Sequence, residues 1–157
     1  MSIRTPAVRR SSAAASPGPA VDDGDSFGID VGGTRASAPD WARTCLPGDD
    51  ALFTTVVWHG ILGFDLAPRG TPATVAGWRV SNESELVCRL EADGTRMSGR
   101  MVFSLDDGEL TWTTSLRFHD RCGRWVWQPA GIAHRALVPR ILQRAHRALA
   151  GRTPGEL

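Results

Sequence analysis

The sequence predicts an α+β domain in which a curved antiparallel sheet packs against one long C-terminal helix, with two short helices after the first strand. Two observations carry this. Between about Val75 and His119, apolar residues alternate with polar ones in runs separated by Asn, Asp and Gly, the period-two pattern of a meander with one buried face and one wet face. From Arg124 to Ala150 the period changes. At about 100° per residue, His134, Leu137, Val138, Ile141, Leu142, Ala145, Ala148 and Leu149 fall on one side, and Arg135, Arg140, Gln143, Arg144, His146 and Arg147 on the other. No Asp or Glu lies between Asp120 and Glu156, so the last turns carry only positive charge, which suits a helix C-terminus. Gly151 and then Pro154 stop the helix.

The elements follow in order. Residues 1–25 have little to bury: Arg4, Arg9 and Arg10 precede a Ser/Ala/Pro/Gly stretch and then Asp22, Asp23 and Asp25. They are expected to form a disordered, dispensable leader before a single domain at 26–151, with a flexible tail at 152–157. The Arg9-Arg10 pair lacks the continuous apolar core that an export signal needs. Ser26–Val31 alternates Phe27, Ile29 and Val31 with smaller or polar residues, a short strand ended by Gly32-Gly33. Ala38–Leu46 reads as a short helix with Trp41 and Cys45 on one side. Asp49 or Asp50 caps a second helix running to Leu62, and Gly63 and Pro68-Arg69-Gly70 break it.

Four strands come next. Val75–Ser81 turns at Asn82–Ser84, and Glu85–Ala92 sets Leu86, Cys88 and Leu90 on one face. Arg96–Leu105 aligns Met97, Met101, Phe103 and Leu105, and Glu109–His119 aligns Leu110, Trp112, Thr114, Leu116 and Phe118.

Composition bounds the function classes. A chain of 157 residues is large enough for one core without staples. Its net charge of +1 gives no global reason to expect nucleic acid or an acidic membrane as partner. All eighteen basic residues are Arg, and six Trp accompany no Tyr. Cys45, Cys88 and Cys122 are odd in number and far apart, so reduced thiols in a cytoplasm are the simple reading. Apolar runs all fall well short of the ~20 residues of a membrane span. His59, His119, His134 and His146 are scattered without paired carboxylates, so no metal site and no cofactor is expected.

Gly28–Arg35, GIDVGGTR, is similar to the first phosphate-binding hairpin of sugar kinases and other actin-like ATPases. That likeness covers eight residues, and the remaining chain has no room for the second lobe such a fold needs. A plain strand ended by a glycine turn is the expectation.

The order of elements resembles the helix-grip fold of the SRPBCC superfamily, which includes START-like lipid-transfer domains, birch-pollen-allergen proteins and polyketide cyclases. Within it the chain is most similar to an uncharacterised family of domains often fused to NAD-binding, dehydrogenase-like domains. The resemblance rests on Asp25-Ser26-Phe27, on Ile61-Leu62-Gly63-Phe64 and on the closing run Arg121–Leu142, RCGRWVWQPAGIAHRALVPRIL, and spans residues 25–150. It implies seven strands, where five are read above, and a cavity between sheet and helix. The NAD-binding partner is absent from this chain, so no nucleotide is implied.

A small hydrophobic or amphipathic molecule is then the expected partner. From the sheet it would meet Trp78, Cys88, Met101, Phe103, Trp112, Thr114 and Leu116. From the helix it would meet Trp127, Gly131, His134, Val138 and Ile141, with Gly131 leaving room beside the imidazole. His134 is the candidate proton-transfer group, because it is the titratable residue that the spacing sets on the inward stripe. A cyclase, aromatase or isomerase using the same cavity, and an interaction domain with a filled core, are the alternatives.

Overall fold

Alternation builds the sheet as expected. Strand β6 (Met97–Asp106) buries Met97, Gly99, Met101 and Phe103, and β7 (Glu109–Phe118) buries Leu110, Trp112, Thr114 and Leu116. The two pair in antiparallel register from Met97–Phe118 to Asp106–Glu109, joined by a turn at Asp107-Gly108. Flanking them are β1 (Val8–Ser11), β2 (Asp23–Asp30), β3 (Thr74–Val75), β4 (Trp78–Glu83) and β5 (Val87–Ala92). All seven strands form one antiparallel sheet in the order β1-β2-β7-β6-β5-β4-β3. Among the described residues, helix α1 (Ala38–Cys45) and the long helix α2 (Arg121–Ala150) accompany the sheet. The architecture is the α+β helix-grip arrangement. This computed structural model describes residues 6–11, 21–46, 58, 60–68 and 70–151.

Helix α1 starts where a capping box forms. Ser37 Oγ accepts from the Asp40 amide, and the Asp40 carboxylate accepts from the Ser37 amide at 2.9 Å. Its Trp41 and Cys45 are buried, as their spacing predicts. Helix α2 starts at Arg121, one turn before the expected Arg124, because the Asp120 carboxylate caps the Gly123 amide at 2.8 Å. It continues through Pro129 and Pro139, which remove the hydrogen bonds owed to the carbonyls four residues earlier. Val138, Leu142, Ala145 and Leu149 are buried as expected. The wheel misassigns three residues: Ala148 is exposed, His146 is buried because its ring stacks on Trp41, 6.2 Å away, and Arg135 turns toward the carboxylates of β2.

Other expectations need correction. Val8–Ser11 and Asp23–Asp25 lie in the sheet and not in a disordered leader. The reason is pairing: Val8 sits opposite Ile29, and Asp25 opposite Thr114, so main-chain bonds recruit a segment with few apolar side chains. The strand expected at Val75–Ser81 is two strands, split where Ala76 and Gly77 adopt φ of 50° and 84°. β1 and the extra strand from this split, β3, account for the two strands missing from the five. The turn expected at Asn82–Ser84 falls at Ser84–Leu86, so Leu86 is exposed and not on the inner face. The helix expected from Asp49 or Asp50 lies mostly outside the described residues, as do the tail at 152–157 and His59. The GIDVGGTR segment is a strand and turn, in which Asp30 Oδ1 accepts from the Gly32 amide at 2.9 Å.

Candidate functional site

A carboxylate occupies a core position in β2. The inner row of that strand reads Asp23, Asp25, Phe27 and Ile29, facing Leu116, Thr114, Trp112 and Leu110 of β7. Asp25 is 2% exposed. A carboxylate buried alone costs far more than a fold can bear, so partners must meet it. Helix α2 supplies them: Trp127, Gly131, His134, Arg135 and Val138 recur at helical spacing on its sheet-facing side.

The contacts make one connected cluster. Trp127 Nε1 donates to Asp23 Oδ2 at 2.6 Å, and an Arg135 terminal nitrogen reaches both Asp23 oxygens at 2.9 and 3.2 Å. Arg135 Nε stands 3.4 Å from Asp25 Oδ2, and His134 Nε2 stands 3.4 Å from Asp25 Oδ1. The same His134 nitrogen lies 3.2 Å from Thr114 Oγ1. Rings wall the imidazole: Trp127 at 5.7 Å and Trp112 at 6.1 Å, the latter edge-on at 89°. Two carboxylates thus face one guanidinium and one imidazole. Asp25 Oδ1 and Arg135 Nε remain buried without a hydrogen-bond partner, their contacts being ion-pair distances only. The cluster reaches water at its rim, where the Asp23 and Arg135 side chains are about 30% exposed.

The expected site residues divide into two groups. Thr114, Trp112, Trp127 and His134 are brought together, with Leu116 and Met101 adjoining in the sheet. Trp78 is not among them. It packs on Phe64 and Trp58 at 5.1 and 5.2 Å, its ring reaching over Gly99. Cys88 pairs with Phe103, whose ring lies 4.8 Å from Trp112. Cys88, Met101 and Phe103 are 0% exposed and Trp112 2%, so these side chains are packed in the core. Val138 is buried and Ile141 half-buried. The room expected beside Gly131 is filled, because a Cβ there would stand 3.0 Å from Trp127 Nε1.

Three residues of the cluster escape the sequence reading. Carrying the alternation of Phe27, Ile29 and Val31 two steps back reaches Asp25 and Asp23, which was the available signal. Arg135 was assigned to the solvent side, yet its guanidinium folds back over the sheet.

Chemically, the arrangement holds polar groups better than it relays protons. In a carboxylate–imidazole–hydroxyl relay the two oxygens engage opposite ring nitrogens. Here both approach His134 Nε2. His119 bonds Ser98 Oγ at 2.7 Å on the exposed surface, away from the cluster. Burial pushes the Cys45 thiol up to about 12. Burial first and Glu83 second push Cys88 up to about 11, against a smaller pull from Arg43, so both are neutral packing groups near pH 7. Among the described residues no three His, Cys, Asp or Glu side chains converge as metal ligands would.

No family model and no curated protein matches the chain. Among solved structures it is similar to a conserved protein from Geobacillus kaustophilus, with TM-score 0.39 and 13% identity over 81% of this chain and 93% of that one. It is also similar to CalU16 from Micromonospora echinospora, with TM-score 0.30 and 12% identity over 92% and 94% of the two chains. Likenesses this loose leave function to the residues themselves. Among the described residues no helix is long and apolar enough to cross a membrane.

Proposed function

We propose that this domain binds a small amphipathic molecule at the seam between β2, β7 and α2, its polar end on Asp25, Thr114 and His134 and its apolar part against Trp112 and Trp127. One observation carries the reading: Asp25 Oδ1, buried and without a hydrogen bond, in an aromatic-walled niche beside a hydroxyl and an imidazole. A polar atom left unsatisfied in a core costs roughly 1–3 kcal/mol, and a ligand donor would recover it. Because the apolar rows beyond the niche are filled, the ligand enters by parting α2 from β2 at the exposed Asp23–Arg135 rim. The resemblance of residues 25–150 to the SRPBCC superfamily supports the same reading. Three free cysteines, two of them buried, fit a cytoplasmic setting.

Native mass spectrometry of the protein purified without denaturant tests this, together with titration of the fluorescent apolar probe Nile red. A retained small molecule, or micromolar Nile red binding, is expected in the wild type, with loss on Asp25→Asn. A ligand-free protein that also ignores Nile red would identify the seam as core structure only.

The 3.4 Å approach of His134 to Asp25 favours one further reading, an isomerase- or cyclase-type proton transfer by the imidazole. His134→Gln would then lower turnover by roughly 10²–10⁴-fold with binding little changed. In a pure carrier the same variant shifts affinity alone.

A further inference from the structure

Helix α2 has a second apolar face, which no part of the described fold covers. Trp125 is 72% exposed and Ile132, seven residues on, 69%. Cys122, Pro129, Ala133 and Ala136 are exposed on the same side, so an apolar stripe follows the first four turns for about 20 Å at the helical rise of about 1.5 Å per residue. Isolated exposed apolar residues are ordinary, but a Trp and an Ile aligned with small residues form a contiguous patch. Cations bracket it. Arg121 and Arg124 stand at its beginning, and Arg140, Arg144 and Arg147 continue the same face toward the C-terminus, all exposed. Two acids lie near the N-terminal end, Asp22 and Asp120, in a cleft shared with Arg121, Arg124 and Trp125. Each already accepts a backbone amide, from Phe118 and Gly123 respectively.

We propose that the Trp125–Ile132 stripe, with the arginines at both its ends, docks this domain on an anionic lipid surface. Charge selects the occupant. A second copy is disfavoured, because pairing two such helices in either direction sets arginine ends against arginine ends. Beyond the cleft at its N-terminal end the stripe is a line of side chains along one helix, whereas protein partners seat their central anchors in pockets. A planar, fluid, negative surface meets both requirements: Trp and Ile enter the headgroup boundary while long Arg side chains stay among the phosphates. The overall charge of +1 conceals this, because α2 carries no Asp or Glu.

The test is vesicle flotation of the full chain. Binding is expected to vesicles of phosphatidylcholine mixed with phosphatidylglycerol, weakening with added salt, and to be much poorer with phosphatidylcholine alone. Trp125→Ala with Ile132→Ala should reduce partitioning at least about tenfold, from the lost apolar contact. Each of Arg140→Gln, Arg144→Gln and Arg147→Gln should reduce it about fivefold. Brominated lipid should quench wild-type emission and spare Trp125→Phe. Circular dichroism keeps the result interpretable, since exposed substitutions should leave the fold intact. Failure to float with the mixed vesicles, equal flotation with both, or binding indifferent to the double variant overturns the proposal. A dimer in solution that Trp125→Ala dissolves would overturn it in favour of a self-interface.

Discussion

The two flanks of the sheet solve the same packing problem in opposite ways. On the β4 side, Trp78, Phe64 and Trp58 fill the space with rings, and Gly99 gives way beneath them: a Cβ there would stand 2.8 Å from Trp78 Cη2. On the β2 side, the row that should be apolar carries Asp23 and Asp25, and α2 answers with Arg135, His134 and Trp127. The dry flank gains its stability from area and contact. The charged flank balances a large desolvation cost against ion pairs and comes out near even. A fold that needed only stability would repeat the first solution. The second is where the proposed ligand site lies.

Substitutions break that contrast in order of size. Deleting residues 1–25 should be worst, since it removes Asp23, Asp25 and the start of β2 and strands Arg135; the truncated chain should lose cooperative unfolding. Deletion through Ser11, which costs only the edge strand β1, should leave a cooperative transition. Trp78→Ala on the dry flank should lower unfolding free energy by about 3–5 kcal/mol in urea. Arg135→Leu should cost about 3 kcal/mol by leaving two carboxylates without their guanidinium, while Asp25→Leu with His134→Leu should stay within about 1 kcal/mol of wild type. If the paired replacement were as damaging as the single one, the charged flank would be stabilising in its own right and the contrast would fail.

A separate effect concerns alkaline pH. The chain contains no Tyr and no Lys, so above pH 9 its side-chain titration belongs to thiols until Arg. Cys45 and Cys88 are raised in the folded state from 9.0 to about 12 and about 11. Stability from both is complete below pH 9, where the unfolded chain also keeps its thiol protons. It is lost as pH rises through the window from 9 to the folded values. Melting followed from pH 8 to 10.5 should show a decline of about 1 kcal/mol per pH unit per buried thiol. Cys45→Val should remove about half of it.

What could be read in the sequence was periodic. Met97, Met101 and Phe103, then Leu110, Trp112, Thr114 and Leu116, announce their inner face at every second position, and Val138, Leu142, Ala145 and Leu149 theirs at helical spacing. His134 was placed beside Thr114 and Trp112 by the same logic. The rest was hidden because it depends on partners far away in the chain. Asp25 looks like solvent-facing polarity until Arg135 closes on it. His146 looks like surface until Trp41 stacks on it. Whether a glycine leaves a hole, as expected at Gly131, is decided by Trp127 one turn before it.

The strand order also sets a timetable for synthesis. Among the described residues β1 and β2 have no partner in the sheet but each other and β7, which follows more than seventy residues after Asp30. Until Glu109–Phe118 has left the ribosome, β1 and β2 cannot join the sheet, and Asp25 waits longer still for Arg135. The middle of the chain, β4 to β7, can pair locally as it emerges. Folding should therefore proceed from the central meander outward, with the N-terminal strands and the final helix arriving together as the step that completes the domain.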